Sequence, residues 1–322
     1  MAQDYLPVTV VICAYTLERW DTIRSSLKSV LAQHPQPKQV LLVVDHNVEL
    51  ADRARRELLG AEVLESDGRP GLSGARNAGL RSATQPVTVF LDDDAEARPG
   101  WLASLTDPYR SSSVVATGGN VEPRWPKERP SWIPPEFDWV VGCSYVGLPE
   151  SGGIVRNPIG ASMSMRTALA LEVGGFDTEM GRVSNHLSGC EETVLAIRLT
   201  ASRPESIVYY VPNSTVDHRV GPERLKFGYF MRRCWHEGQS KASVVRLVGA
   251  SVGLERERRQ MAVVIPRSLV REMCNFFRGD PSAVLRLSAT ISCLVATATG
   301  YLTGRLGRRS GSGHENGPTV AD

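Results

Sequence analysis

The chain predicts an α/β fold: a mixed, mostly parallel sheet flanked by helices, followed by a helical C-terminal extension. Two observations predict it. From residue 8 to residue 91, short apolar β-rich runs alternate with amphipathic helical stretches, which is the pattern of βαβ units. After SIVYYVP the strand-like runs stop, and from residue 222 arginine-rich helical patterns take over.

VTVVICAY (8–15) opens the series as a strand apolar at nearly every position, the mark of burial on both faces of a parallel sheet. ERWDTIRSSLKSVLAQ follows as a helix, with Trp20, Ile23, Leu27, Val30 and Leu31 at helical spacing and Pro35 closing it. QVLLVVD (39–45) is a second strand, ELADRARRELL a helix, AEVLES a third strand, SGARNAGLRSA a helix and VTVFL (87–91) a fourth strand. The Pro-, Trp- and Gly-rich stretch from Pro123 to Pro158 predicts a long ordered loop. GASMSMRTALALEVGGF then gives strand and helix, CEETVLAIRL a helix and SIVYYVP a strand.

In the extension, RLKFGYFMRRCWHEG, RLVGASVGLERERRQ and IPRSLVREMCNFFRG read as helices. Residues 287–304 carry no charge, yet are short and diluted by Ser and Thr for a span of about 20 apolar residues. A membrane-contacting or re-entrant helix and an ordinary core helix both fit. The last 13 residues, SGSGHENGPTVAD, have a disordered composition.

Composition narrows the function classes. Of 322 residues, 42% are hydrophobic and 22% charged, enough for one large domain with an appendage or for two domains. Thirty-seven basic and 35 acidic residues give a formal charge of +2, which argues against nucleic acid as a partner. Six cysteines lie far apart with no C-x-x-C pair, so neither a zinc site nor a disulfide framework is expected. With no basic segment ahead of the first strand, no signal peptide is expected either, and the reading is cytoplasmic.

Chemistry concentrates where strands end, the ligand edge of an open α/β sheet. FLDDDAEARPGWL places three aspartates there. Asp92 and Asp94 point the same way and can share one hard divalent cation, although a solvated acidic turn fits three acids equally well. Asp45, ending the second strand, suits a ribose or base, or a simple turn before Asn47. In GLSGARNAGL, small residues permit close backbone approach and Arg76 can neutralise phosphate or orient the acids; plain helix packing is the alternative. The first loop, CAYTLERW, has neither G-x-G-x-x-G nor G-x-x-x-x-G-K, which argues against a dinucleotide dehydrogenase and a P-loop NTPase.

Taken in order, VVICAYT, VVD, GLSGARNAGL, FLDDDAEARPGWL, GGFD and CEETVLAIRL resemble the inverting family 2 glycosyltransferases of the GT-A fold, over roughly residues 7–240. The resemblance implies a nucleotide-sugar donor, a UDP-sugar by preference, and a divalent cation, Mn²⁺ or Mg²⁺, on Asp92 and Asp94 with His218 as third ligand. Ala14, Tyr15, Thr16 and Asp45 would line the nucleoside site; Gly74, Arg76, Asn77 and Asp93 would complete the donor site, with Asp93 contacting the sugar or Arg76. Where the family commonly has Glu-Asp this chain has Glu191-Glu192, so Glu192, or failing it Glu191, takes the place of the base. FMRRCWHEG only approximates the synthase motif; Arg232, Arg233 and Trp235 would hold acceptor and diphosphate, and processivity is in doubt.

The expected division is a catalytic domain over 1–221, a helical extension over 222–304 and a tail over 305–322. The basic extension points to the inner face of a membrane and to a glycan or polyprenyl-linked acceptor. A processive synthase and a non-catalytic scaffold subunit are the alternatives.

Overall fold

Strand β1 (Val8–Ala14) sets the layering. Val10, Ile12 and Ala14 enter one apolar cluster and Val11 another, because successive side chains of a strand face opposite ways. A strand covered on both faces is apolar throughout, which is why β1, β2 (Gln39–Val44) and β4 (Val87–Asp92) read as unbroken runs. Helices α1 (Trp20–Leu31) and α2 (Val48–Glu57) cover one face with Trp20, Ile23, Leu27 and Leu50. Helices α3 (Leu72–Ser82), α5 (Thr167–Glu172) and α6 (Glu191–Ala201) cover the other with Ala75, Leu80, Leu169 and Leu195. Each such fully buried Leu or Ile contributes about 1.5–3 kcal/mol.

These features come from a computed structural model that describes residues 5–178, 189–250, 257–258 and 260–306. Its sheet runs β3–β2–β1–β4–β8–β6–β9–β5, with β7 also on β9. Here β3 is Glu62–Glu65, β5 Ala95–Ala97, β6 Val114–Arg124, β7 Gly153–Val155, β8 Ser162–Arg166 and β9 Ile207–Arg219. β3, β2, β1 and β4 are parallel. β8 runs antiparallel between β4 and β6, while β6 and β9 are parallel. The carboxyl ends of β1, β2 and β4 therefore share one edge: the Asp45 N–H donates to the Ala14 carbonyl at 2.8 Å, and Cys13 lies in register with Asp92.

Sequence reasoning did not anticipate β6, whose Gly118 and Gly119 break the apolar pattern. Both glycines are packing requirements. A Cβ on Gly118 would lie 2.8 Å from Pro158, and one on Gly119 would strike Ser162 and the Ser214 carbonyl. The short helix α4 (Trp101–Thr106) and the strands β5 and β7 were also unforeseen.

The 123–158 segment is ordered, as expected, and carries a 3₁₀ turn at Pro135–Val141. Phe137 and Val140 from this turn pack with Phe230 of α7 (Phe227–Val248) and with Cys293 and Ala296 of α9 (Ser282–Leu306). Between them lie a π-helical turn, Gln260–Val264, and α8 (Ile265–Phe277). Helices α7 and α9 approach closely because a Cβ on Gly238 would meet the Thr297 carbonyl and one on Gly300 the Trp235 carbonyl.

The uncharged 287–304 run lies within α9, which is partly core and partly exposed. Ala289, Cys293, Ala296 and Gly300 are buried, whereas Ile291, Val295 and Leu302 are exposed. By length and composition α9 could cross a membrane, although a third of its most apolar window is buried inside the protein. In RLVGASVGLERERRQ, Arg246–Val248 end α7 and residues 251–256 and 259 lie outside the described residues, as does all of the SGSGHENGPTVAD tail. All six cysteines are free.

Candidate active site

Asp92 ends β4, and the chain turns at once into β5, which pairs with β9 so that Ala95 lies opposite His218. That antiparallel pairing sets Asp94 beside the imidazole. His218 Nε2 lies 3.2 Å from Asp94 Oδ1, and its Nδ1 lies 3.7 Å from Cys143 Sγ, which fixes the ring. One ligand atom from each of Asp92, Asp94 and His218 falls within 4.8 Å of the others. Two carboxylates and an imidazole converging in this way suit a hard divalent cation such as Mn²⁺ or Mg²⁺.

Charge balance around this cluster fits that use. Burial pushes the Asp94 carboxyl up, but His218, Arg19 and Arg224 outweigh it and hold it well below the usual carboxylate range. Arg19 Nη1 lies 3.2 Å and Arg224 Nη2 3.7 Å from Asp94 Oδ2. Asp94 is therefore ionised and available as a ligand.

Arg76 joins this cluster to the second acidic pair. Its guanidinium, 2% exposed, donates through Nη1 to Glu191 Oε1 at 2.9 Å and through Nη2 to Asp92 Oδ1 and the Gly160 carbonyl, both at 3.2 Å. The Phe176 ring lies 5.5 Å away and supports it. Glu191 and Glu192 occupy the first turn of α6, preceded by Cys190 at φ 75°, a sterically disfavoured backbone for a non-glycine residue that aims this helix start. Glu191 is thus tied to Arg76. Glu192, with no such partner, is raised to about 8, first by burial and then by the charge of Glu191. Asp92, His218, Arg76 and both glutamates line one cavity of about 490 Å³.

Several expected site residues go elsewhere. Asp93 contacts Arg19 at 2.7 Å rather than Arg76, because β4 turns its side chain inward beneath the loop after β1. Asn77 donates to the Phe176 carbonyl and accepts from the Phe176 N–H, both at 2.8 Å, so its amide clamps the Gly-Gly-Phe-Asp turn onto α3. Gly74 is small because a Cβ there would strike the Arg69 carbonyl. Along α7 only Arg233 of the three expected residues reaches the cavity; Arg232, one helical step away, is exposed, and Trp235 packs against α9.

At the edge expected to hold the nucleoside, Asp45 Oδ2 accepts from the Gly71 N–H at 2.8 Å and Oδ1 lies 2.8 Å from His46 Nδ1. Ala14 is buried, Thr16 half-buried, and the Tyr15 ring 56% exposed at the same edge. Arg19 and Arg224 were missed by sequence reasoning. Arg19 stands in the loop after β1, at the ligand edge, and its position alone could have flagged it; Arg224 carried no such signal.

The family model for glycosyl transferase family 2 matches residues 9–170. A glucosyl-dolichyl phosphate glucuronosyltransferase of Haloferax volcanii is 35% identical over 240 residues, covering 73% of this chain and 76% of that protein. Among solved structures, a mannosyltransferase of Pyrobaculum calidifontis in complex with GDP-Man and Mn²⁺ superposes with a TM-score of 0.61 at 17% identity, covering 93% of this chain and 88% of its own. GalNAc-T7 with UDP, GalNAc and Mn²⁺ superposes with a TM-score of 0.54 at 16% identity, covering 80% of this chain; the chain spans about half, 54%, of that one. The scaffold alternative gives way to these relationships: the chain belongs to glycosyltransferase family 2 and is a glycosyltransferase of the GT-A fold.

Proposed function

We propose that the protein transfers a sugar from a nucleoside-diphosphate donor, a UDP-sugar by preference, to a hydroxyl of a polyprenyl-phosphate-linked glycan, with inversion. One observation carries this reading: Asp92 and His218 of the Asp92–Asp94–His218 cluster line a single cavity with Glu192, Asp94 lying against His218 and Arg76 between Asp92 and Glu191. The two structural neighbours, one with UDP, GalNAc and Mn²⁺ and the other with GDP-Man and Mn²⁺, support the donor class. The name of the H. volcanii relative supports a lipid-linked acceptor.

In this mechanism Asp92, Asp94 and His218 would hold a divalent cation, Mn²⁺ or Mg²⁺, which would offset charge on the departing diphosphate. Glu192 takes the proton of the acceptor hydroxyl as that oxygen attacks the anomeric carbon; the bond to the diphosphate breaks on the opposite face and configuration inverts. Its proton affinity, raised by burial and by Glu191, makes it a strong base. Arg76 positions Asp92 and Glu191 and thereby the start of α6. Asp45, Ala14, Tyr15 and Thr16 form the nucleoside end. Residues 1–221 form the catalytic unit, and 222–304 complete its acceptor side.

The exposed Val270, Met273, Phe276 and Phe277 of α8, beside Arg267 and Arg278, support contact with the cytoplasmic membrane face. Sugar release from UDP-sugars with Mn²⁺, with and without a polyprenyl-phosphate glycan, tests the activity. Transfer that needs both metal and lipid-linked acceptor supports it; turnover indifferent to EDTA or to the acceptor overturns it. Phe276→Ser with Phe277→Ser should abolish co-sedimentation with anionic phosphatidylglycerol vesicles while leaving donor hydrolysis intact.

A further inference from the structure

Beyond the carboxylates, the cavity contains a second charged constellation that the transfer chemistry leaves unused. Arg233 Nη1 contacts Glu237 Oε2 at 3.0 Å; Lys241 Nζ contacts Glu237 Oε1 at 3.1 Å and Glu257 Oε1 at 2.7 Å. Arg156 closes the series with two bonds to Glu257, at 2.8 and 3.1 Å. Among the described residues, Arg233, Lys241 and Arg156 share these two carboxylates. Arg233, Lys241, Glu237 and Glu257 all line the cavity.

Two further observations point to a ligand. Arg233 is 8% exposed, and among the described residues nothing accepts a hydrogen bond from its Nε. A buried guanidinium with an unpaired donor is costly unless an acceptor completes it. The same cavity is also lined by Met261, Ile265, Leu294, Ala298 and Tyr301, from the π-helical turn, α8 and α9. The outer faces of α8 and α9 present the exposed apolar side chains proposed above to meet a membrane. A chamber that pairs Arg233, with its unpaired Nε, and Lys241 with an apolar wall suits an amphiphile with an anionic head.

We infer that Arg233 and Lys241 form an acceptor-phosphate subsite, binding the phosphate ester of a prenyl-phosphate-linked substrate whose hydrocarbon lies along α8 and α9. The inference rests on the proposed lipid-linked acceptor and deepens it. It reassigns Arg233 from the donor to the acceptor, and it gives the arginine-rich α7 a role distinct from a synthase motif. Glu237 and Glu257 hold the cations apart and in place, so the subsite is built before the ligand arrives.

Calorimetric titration of the full-length protein tests it, in EDTA so that no cation at Asp92, Asp94 and His218 can capture phosphate. The probes are farnesyl phosphate, farnesol and inorganic phosphate. Farnesyl phosphate should bind about tenfold or more tighter than either of the others, as charge-assisted hydrogen bonds and apolar burial act together. Lys241→Met removes one cation and should erase the margin over farnesol. Glu257→Gln removes the negative charge beside it and should widen that margin; a cluster that only braced the fold would weaken binding in both variants. Glu257→Gln suffices on its own if the Lys241 variant fails to fold.

Equal affinity for farnesyl phosphate and farnesol overturns the inference, as does a narrowed margin in Glu257→Gln. Inorganic phosphate binding as tightly as farnesyl phosphate would show an anion site without a lipid and would overturn it too. Mn²⁺-dependent turnover of the donor, measured on the same preparation, reports separately on the proposed activity. Its absence with phosphate discrimination intact refutes that activity and leaves the subsite standing.

Discussion

Asp94 and Glu192 are both deeply set carboxylic acids near one cavity, yet the protein drives them in opposite directions. At Asp94, Arg19, Arg224 and His218 converge within 3.7 Å and overcome burial, so the group stays ionised. At Glu192 burial prevails, and the neighbouring Glu191 adds repulsion; Arg76, hydrogen-bonded to Glu191 and Asp92, offsets these only in part. The difference teaches how a fold makes a permanent ligand and a proton acceptor from the same functional group: by the placement of arginines.

Replacing the permanently charged acid should have the largest effect. Asp94→Asn keeps the shape and removes the charge, and kcat/KM should fall roughly 10³–10⁴-fold, with excess Mn²⁺ restoring little. A loss below tenfold would break the assignment of Asp94 as ligand. Glu192→Gln should lower transfer by about 10²–10⁴-fold while donor affinity stays within about twofold, since only the proton acceptor is lost. Retained transfer would move the base elsewhere.

Glu192 also makes a pH prediction. A base works deprotonated, so transfer should rise with pH through about 8, and Glu192→Gln should flatten that limb in its residual activity. The same group affects stability. Its folded pKa lies above the ordinary 4.5, so its contribution is present in acid and is lost as pH rises through about 8. Near pH 9 Glu192→Gln should therefore melt higher than wild type, by roughly 2–4 °C for each kcal/mol relieved. A lower melting temperature there would contradict the burial argument. Arg76→Lys comes next, with about a 10–100-fold loss: an ammonium cannot span Asp92 and Glu191 as the guanidinium fork does.

The half of the molecule that creates the Asp94 side of this contrast was the more legible in sequence. Continuous runs such as VTVVICA and QVLLVV can only be strands covered on both sides, so the parallel half of the sheet and its acidic edge followed from local pattern. Strand β6 was hidden because its glycines answer to Pro158 and Ser162, residues that meet it only in three dimensions. The acids were visible as acids, but their states were not. Arg19 is 74 positions from Asp93, and Arg76 is 115 from Glu191, so no spacing rule could pair them. Asn77 misled for the same reason: its run resembles a donor site, and the Phe176 backbone that takes up its amide lies 99 positions away.

The smallest expected effect tests whether placement, rather than residue type, decides function along α7. Arg232 and Arg233 are adjacent and chemically identical, but a helix turns about 100° per residue, which sends one to solvent and the other into the cavity. Arg233 carries the bond to Glu237 and lies 5.7 Å from the Trp139 ring. Arg232→Ala should therefore change kcat/KM for donor and acceptor by less than about twofold, the range of an unconstrained surface substitution. Steady-state kinetics with each substrate varied in turn would measure it. A tenfold rise in donor KM would put Arg232 back at the diphosphate, and would mean that α7 rotates or shifts when the donor binds.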